Sequence, residues 1–253
     1  MTTSPADRLV AAIRHEDGVA ELGMRDARGR NGFSLQFVNQ LVESATELGD
    51  DPTIKVVVLT GLPDVFASGA PKELLEMLAR GEVVPSDIVL SKTVLDLPVP
   101  SVAAMQGHAT GGGLALGLCA DVVIFAKESR YGASFMNMGF TPGMGITRLL
   151  EHVLSPAIAH ELLYTGEFRR GSSFEARSGV NYVLPRAEVL PKAFDLAARI
   201  AEKPRGALVT LKRALSLGRR QAFEQTRTLE SMMHEITFSQ DDIRRRIEDE
   251  YVE

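Results

Sequence analysis

The sequence predicts an α/β fold with a helical C-terminal part. Three observations predict it. Apolar runs such as Val56 to Leu59 and Val102 to Met105 pass through small residues or glycines into apolar positions at helical spacing. The joints between them are rich in Gly, Pro and Asp, which interrupt either periodicity. From Gly206 onward the pattern is entirely helical, with no strand signal.

Taken in order, Leu9 to Ile13 and Val19 to Met24 read as strands, and 26–32 as a loop of turn formers. Ser34 is the expected N-cap of a helix from Leu35 to about Leu48, whose stripe is Phe37, Val38, Leu41, Val42 and Ala45. The strand through Val56 to Leu59 follows. After Pro71 a helix runs on Leu74, Leu75 and Leu78 to Gly81, and a second is expected from about Ser86 to Asp96, with Lys92 between Ile88 and Leu95. Pro98 and Pro100 close it. Val102 to Met105 leads through Gly107 and Gly111-Gly112-Gly113 into a helix carrying Leu114 and Leu118, and Val122 to Ala126 is another strand. Ile146 to Leu154 is helical, Ser155-Pro156 reads as an N-cap with Pro at the first position, and the next helix ends at Gly166. Ser172 and Glu175 fit a capping box, Tyr182 to Leu184 a strand, and Glu188 to Glu202 a helix. Arg219, Arg220, Arg244, Arg245 and Arg246 alternate with acids and read as a solvated face.

The chain has 253 residues, 45% of them hydrophobic, enough for one full core. A net charge of −5 gives no support to a nucleic-acid or membrane-surface role. No apolar stretch reaches the length of a membrane span, and Met1 to Asp7 lacks the pattern of a signal peptide, so a cytoplasmic location is expected. The single cysteine, Cys119, excludes an intrachain disulfide and a Cys-based metal cluster, and its apolar neighbours make it a core residue.

Two stretches carry chemistry. Glycines at a helix start let a ligand approach the backbone, and first-turn N–H groups have no intrahelical partner. The segment Phe66-Ala67-Ser68-Gly69-Ala70-Pro71 places a second backbone donor, Ala70, at another strand-to-helix junction. Two such donors facing one point form an oxyanion hole for charge developing on a carbonyl oxygen.

With these stretches, Cys119-Ala120-Asp121 and Gly139-Phe140-Thr141-Pro142-Gly143-Met144-Gly145, the sequence resembles the crotonase, or enoyl-CoA hydratase/isomerase, superfamily over nearly its whole length. The resemblance implies a spiral of strand-strand-helix units over 1–190 and a helical trimerisation subdomain over 191–253. It also implies that the N–H groups of Ala70 and Gly112 polarise a thioester carbonyl, framed by Ala67, Ser68, Gly69 and Gly111. Where the hydratase motifs place two glutamates, this chain has Ala115 and Phe135. Water activation needs such a pair. A reaction limited by charge on a thioester enolate does not, and decarboxylation is such a reaction, with no metal or organic cofactor required.

Four further segments, Ala103 to His108, Met138 to Gly145, Val183 to Leu190 and Met232 to Phe238, resemble the decarboxylases of polyketide β-branching cassettes. Those convert 3-methylglutaconyl-acyl-carrier protein to 3-methylcrotonyl-acyl-carrier protein. The likeness implies an acyl-carrier-protein partner, a homotrimer, and a C-terminal-helix histidine near the departing carboxylate, here His234, with Phe238 one turn on as an aromatic wall. Phe135 and Phe140 are expected in the acyl pocket. His108 is expected either to touch the pantetheine arm or acyl group or to bond loop backbone. The subgroup's lysine and tyrosine on the helix after the first oxyanion residue are replaced by Leu74 and Leu78, leaving Lys72 and Lys92 as candidate cations for the carboxylate. The competing expectations are an isomerase or hydratase with atypical acid-base residues and a non-catalytic thioester-binding scaffold.

Overall fold

The structure is a computed structural model that describes residues 8–83 and 90–240 together with Ile243, Arg246 and Ile247. The leading segment to Asp7, the helix start expected at Ser86 with Ile88, and Arg244 and Arg245 lie outside the described residues.

β1 (Val10–Arg14) and β2 (Val19–Met24) pair antiparallel across a 3-10 turn, where Asp17 and Gly18 take the left-handed backbone that reverses the chain. Then α1 (Leu35–Asp50) crosses back to β3 (Val56–Thr60), which pairs parallel with β2. The Ser34 hydroxyl accepts from the Phe37 N–H, so the expected N-cap is in place. After β3 the chain leaves the sheet for β4 (Val65–Ala67), α2 (Lys72–Ala79) and α3 (Leu90–Leu95), and it repeats this course twice. β5 (Ser101–Met105) is followed by β6 (His108–Thr110) and α4 (Gly112–Leu118), then β7 (Val122–Ala126) by β8 (Arg130–Gly132). α5 (Ile146–Leu154), α6 (Pro156–Thr165), β9 (Phe168–Arg170), β10 (Tyr182–Leu184), α7 (Arg186–Ala201), α8 (Arg205–Leu215) and α9 (Leu217–Phe238) complete the order. Alternate strands therefore fall into two sheets. One runs β1-β2-β3-β5-β7-β10, the other β4-β6-β8-β9. This is the spiral of strand-strand-helix units.

The central strands are buried on both faces, which is why they read as unbroken apolar runs. Val57, Leu59, Ala103, Met105, Val123 and Phe125 face the core that contains Phe37 and Leu41 of α1. Val56, Val58, Val102, Ala104, Ile124 and Ala126 face α7, whose Val189, Ala193, Ala197 and Ala201 recur every fourth residue. Leu190, the expected end of the core, lies inside this helix, so the helix that covers the sheet straddles the boundary.

Three local expectations change. Ser155 stands at the N-cap of α6 before Pro156, but at φ +76 its hydroxyl makes no cap bond. Gly171–Phe174 is a 3-10 turn without a capping box. The Gly171 and Ser172 N–H groups donate to the Ser129 and Lys127 carbonyls, which ties the segment to the turn after β7. Arg219 is not solvated: its Nη1 donates to the Cys119 and Ala120 carbonyls at 3.1 and 2.7 Å, and its Nη2 pairs with Asp121. Buried Lys212 pairs with the same carboxylate, which also accepts from the Ser101 N–H at 2.9 Å. Asp121 thus fastens α8 and α9 to the end of α4. No helix among the described residues is long and apolar enough to cross a membrane.

Candidate active site

Parallel pairing of β4 with β6 brings two strand-to-helix junctions side by side. The backbones approach so closely that side chains are excluded. A Cβ on Gly69 would lie 2.9 Å from the Thr110 oxygen and 3.2 Å from the Gly112 nitrogen, and Gly69 has φ +82, which only glycine adopts readily. A Cβ on Gly113 would lie 2.1 Å from the Ala67 oxygen. The loop before α1 braces this junction: the Asn31 side chain donates to the Phe66 carbonyl at 2.9 Å, and the Phe33 N–H donates to the Gly69 carbonyl at 2.8 Å. Gly112 opens α4, where first-turn N–H groups have no intrahelical partner.

A cavity of about 120 Å³ opens at the junctions. Ser68, Gly69 and Ala70 line one side and Thr110, Gly111 and Gly112 the next. Leu74, Leu75 and Leu78 of α2, with Phe135, Met138 and Phe140, form an apolar wall. Gly143, Met144, His234 and Phe238 close it. Phe140 stacks on Phe238 at 4.9 Å between centroids, and the His234 ring stands edge-on to Phe238 at 5.5 Å.

His234 is 7% exposed, and its Nε2 lies 2.7 Å from the Thr141 carbonyl oxygen. A carbonyl only accepts, so Nε2 carries the proton. Nδ1 is then the unprotonated nitrogen, buried and without a hydrogen-bond partner. Burial pushes the pKa of this imidazole down, while the bond to Thr141 pulls it up less strongly. The resting ring is neutral, and a bound carboxylate would favour its protonated form.

Of the residues singled out in the sequence, Ser68, Gly69, Ala70, Gly111, Gly112, Phe135, Phe140, His234 and Phe238 meet at this cavity. Ala67 does not line it: fully buried at the end of β4, it packs against α4. His108 does not line it either. Its Nδ1 accepts from the Arg130 N–H at 2.8 Å, tying β6 to β8, and burial followed by the nearby Arg186 and Arg130 charges pushes its pKa down. The backbone-bonding reading of His108 is the one that the geometry matches. Lys72 begins α2 and lies outside the lining, which Leu74, Leu75 and Leu78 of the same helix supply instead. Lys92 is taken up by Asp96 at 2.5 Å and by Glu224 at 3.5 Å. The expected lysine partner for a carboxylate is therefore not in the lining, where the leucines stand instead. Ala115 is 1% exposed, in the main core.

Sequence reading missed Phe33, Thr110, Ser134 and Met144 in the lining, and Glu230, which binds the loop behind Met144. For Glu230 a signal existed: it lies four residues before His234 on one helix, hence on the same face. Among the described residues no group of three or more His, Cys, Asp or Glu is placed to hold a metal ion.

The family model for enoyl-CoA hydratase/isomerase matches residues 14–253. The chain is 40% identical over 243 residues to the bacillaene synthase decarboxylase PksI of Bacillus subtilis (strain 168), covering 96% of this chain and 98% of that one. A solved structure from a dehydratase/decarboxylase enzyme couple involved in polyketide β-branching superposes with a TM-score of 0.93 at 40% identity, covering 97% of this chain and all (100%) of the other. The decarboxylase domain of CurF from Lyngbya majuscula superposes with a TM-score of 0.89, at the same identity and coverage.

Proposed function

The chain belongs to the enoyl-CoA hydratase/isomerase family, and from that premise we propose that it decarboxylates 3-methylglutaconyl-acyl-carrier protein to 3-methylcrotonyl-acyl-carrier protein in polyketide β-branching. The observation that carries this reading is the composition of the cavity. It keeps both oxyanion junctions and a buried histidine, while Phe135 stands in its wall and Ala115 in the core where a hydratase needs carboxylates. The relatives at 40% identity are named as decarboxylases, and one belongs to an enzyme couple of β-branching.

In the reaction the bond from carbon to the carboxylate breaks and CO₂ leaves. Its electron pair passes through the conjugated system to the thioester oxygen, giving a dienolate held by the N–H groups of Ala70 and Gly112. A proton from the His234 imidazolium to the γ-carbon then restores the neutral, conjugated thioester. The leucine and phenylalanine wall excludes water, which strengthens the hydrogen bonds to the dienolate oxygen. It also makes the carboxylate poorly solvated, so losing it as CO₂ relieves an unfavourable burial.

The acyl group reaches the cavity on the phosphopantetheine arm of a carrier protein. The C-terminal helices, grouped with 191–253, are the proposed trimer contact: Leu229, Met232 and Ile236 are more than half exposed, at three- and four-residue spacing on α9. A cytoplasmic location suits a biosynthetic enzyme of this kind. The test is release of CO₂ from the 3-methylglutaconyl thioester of pantetheine under single turnover. Stoichiometric release supports the proposal; hydration or isomerisation without release favours the alternative enzymes.

A further inference from the structure

Glu230 is 4% exposed, and its carboxylate is aimed at the backbone that forms one side of the cavity. Oε2 accepts from the Gly145 N–H at 2.6 Å, and Oε1 accepts from the Thr147 N–H at 3.1 Å and from the Thr147 hydroxyl. α5 begins at Ile146 with Gly145 as N-cap, a residue with no side chain to offer. Glu230 thus caps α5 from another helix, and its negative charge suits a helix N-terminus. One turn later on α9, His234 bonds the Thr141 carbonyl at the other end of the same loop.

Between these anchors the backbone is unusual. Met144 and Gly145 have φ of +65 and +78, and the former is a conformation that a side-chain-bearing residue keeps only when its surroundings impose it. The loop touches both halves of the site. A Cβ on Gly143 would lie 2.6 Å from His234 Cε1, and one on Gly112 would lie 2.8 Å from Met144 Sδ.

We propose that Glu230 is a positioning residue: by holding Gly145 and Thr147 it fixes loop 141–147 and so sets the imidazole of His234 relative to the oxyanion donor Gly112. This rests on the decarboxylase reading, in which the imidazole delivers a proton to one end of the dienolate. A loosened loop would misplace the proton, and the dienolate would then be quenched at the α-carbon as well as the γ-carbon.

The experiment compares wild type, Glu230→Ala, Glu230→Gln and Thr147→Val on the 3-methylglutaconyl thioester of pantetheine. It reads kcat, KM and the ratio of conjugated to deconjugated product. Glu230→Ala is expected to lower kcat about ten- to a hundredfold, the scale of a misplacement near 1 Å, with KM within about threefold and more deconjugated product. Glu230→Gln, which keeps an acceptor oxygen, recovers part of the loss. Thr147→Val, which removes one donor and keeps the N–H, moves both readouts in the same direction by less, and it decides the matter if Glu230→Ala does not fold. Wild-type kcat and product ratio in a folded Glu230→Ala, or in Thr147→Val if that variant alone folds, would overturn the proposal. Absence of CO₂ release by the wild type would instead overturn the decarboxylase reading.

Discussion

The Nε2–H of His234 donates to the carbonyl oxygen of Thr141 at 2.7 Å, and the other ring nitrogen is buried without a partner. An unpaired buried acceptor costs about 1–3 kcal/mol, and this one belongs to a residue that lines the cavity. With Nε2 committed to Thr141, Nδ1 is the nitrogen left for the proton transfer proposed for His234.

The first prediction follows from that commitment. His234→Ala should fold and lose about 10²–10⁴-fold in turnover, the usual contribution of a positioned acid-base group. Near-wild-type decarboxylation by the folded variant, measured by CO₂ release, would remove His234 from the mechanism.

The same burial makes stability depend on pH. At pH above the ordinary histidine value of about 6.5 the ring is neutral folded and unfolded alike, so it contributes no pH dependence. Below it the unfolded chain takes up a proton that the buried ring, with its lowered pKa, still refuses. Stability is therefore lost as pH falls from about 6.5 through the folded pKa, by at most about 1.4 kcal/mol per pH unit for this one group. His108 acts in the same sense, and Glu230, whose carboxyl burial pushes up, acts oppositely as pH falls through its raised pKa. The comparison is thus between wild type and His234→Gln, melted from about pH 7.5 to 5.5. The variant should lose less stability across that window; equal slopes would contradict the burial argument.

Adjacent glycines should differ in kind. At Gly113 an added Cβ meets the Ala67 carbonyl carbon and oxygen, backbone that cannot move without parting β4 from α4. Gly113→Ala should therefore fold poorly or melt many degrees lower. At Gly112 the nearest atoms are the side-chain atoms Met144 Sδ and Phe33 Cε2, at 2.8 and 2.9 Å. Gly112→Ala should fold and lose activity by displacing the loop beside the proposed oxyanion donor. Circular dichroism melts with parallel turnover assays separate the two.

The buried strands were legible as short apolar runs, the sheet topology only through the family resemblance, and the two junctions from their small residues. What stayed hidden depends on distant pairings. Nothing local marks Arg219 as the partner of the Cys119 and Ala120 carbonyls, about a hundred residues away, so charge alternation misread it as solvated. His108 sits in a glycine-rich turn that drew attention to it, yet its ring is claimed by the Arg130 N–H across the second sheet. Lys72 matched a chemical need, but the leucines of its helix, not the lysine, line the cavity.

Assembly provides another test. If the exposed stripe Leu229, Met232 and Ile236 is covered by neighbouring copies, light scattering at micromolar concentration should give a trimer, and Leu229→Glu with Ile236→Glu should give smaller species. A wild-type monomer would contradict the proposed assembly.

The central claim is tested most directly by the intact mass of a carrier protein loaded with the 3-methylglutaconyl group, before and after incubation with the enzyme. The account predicts loss of the mass of CO₂, giving the 3-methylcrotonyl carrier. An unchanged mass, or a gain of the mass of water, with a folded enzyme and a correctly loaded carrier would contradict it.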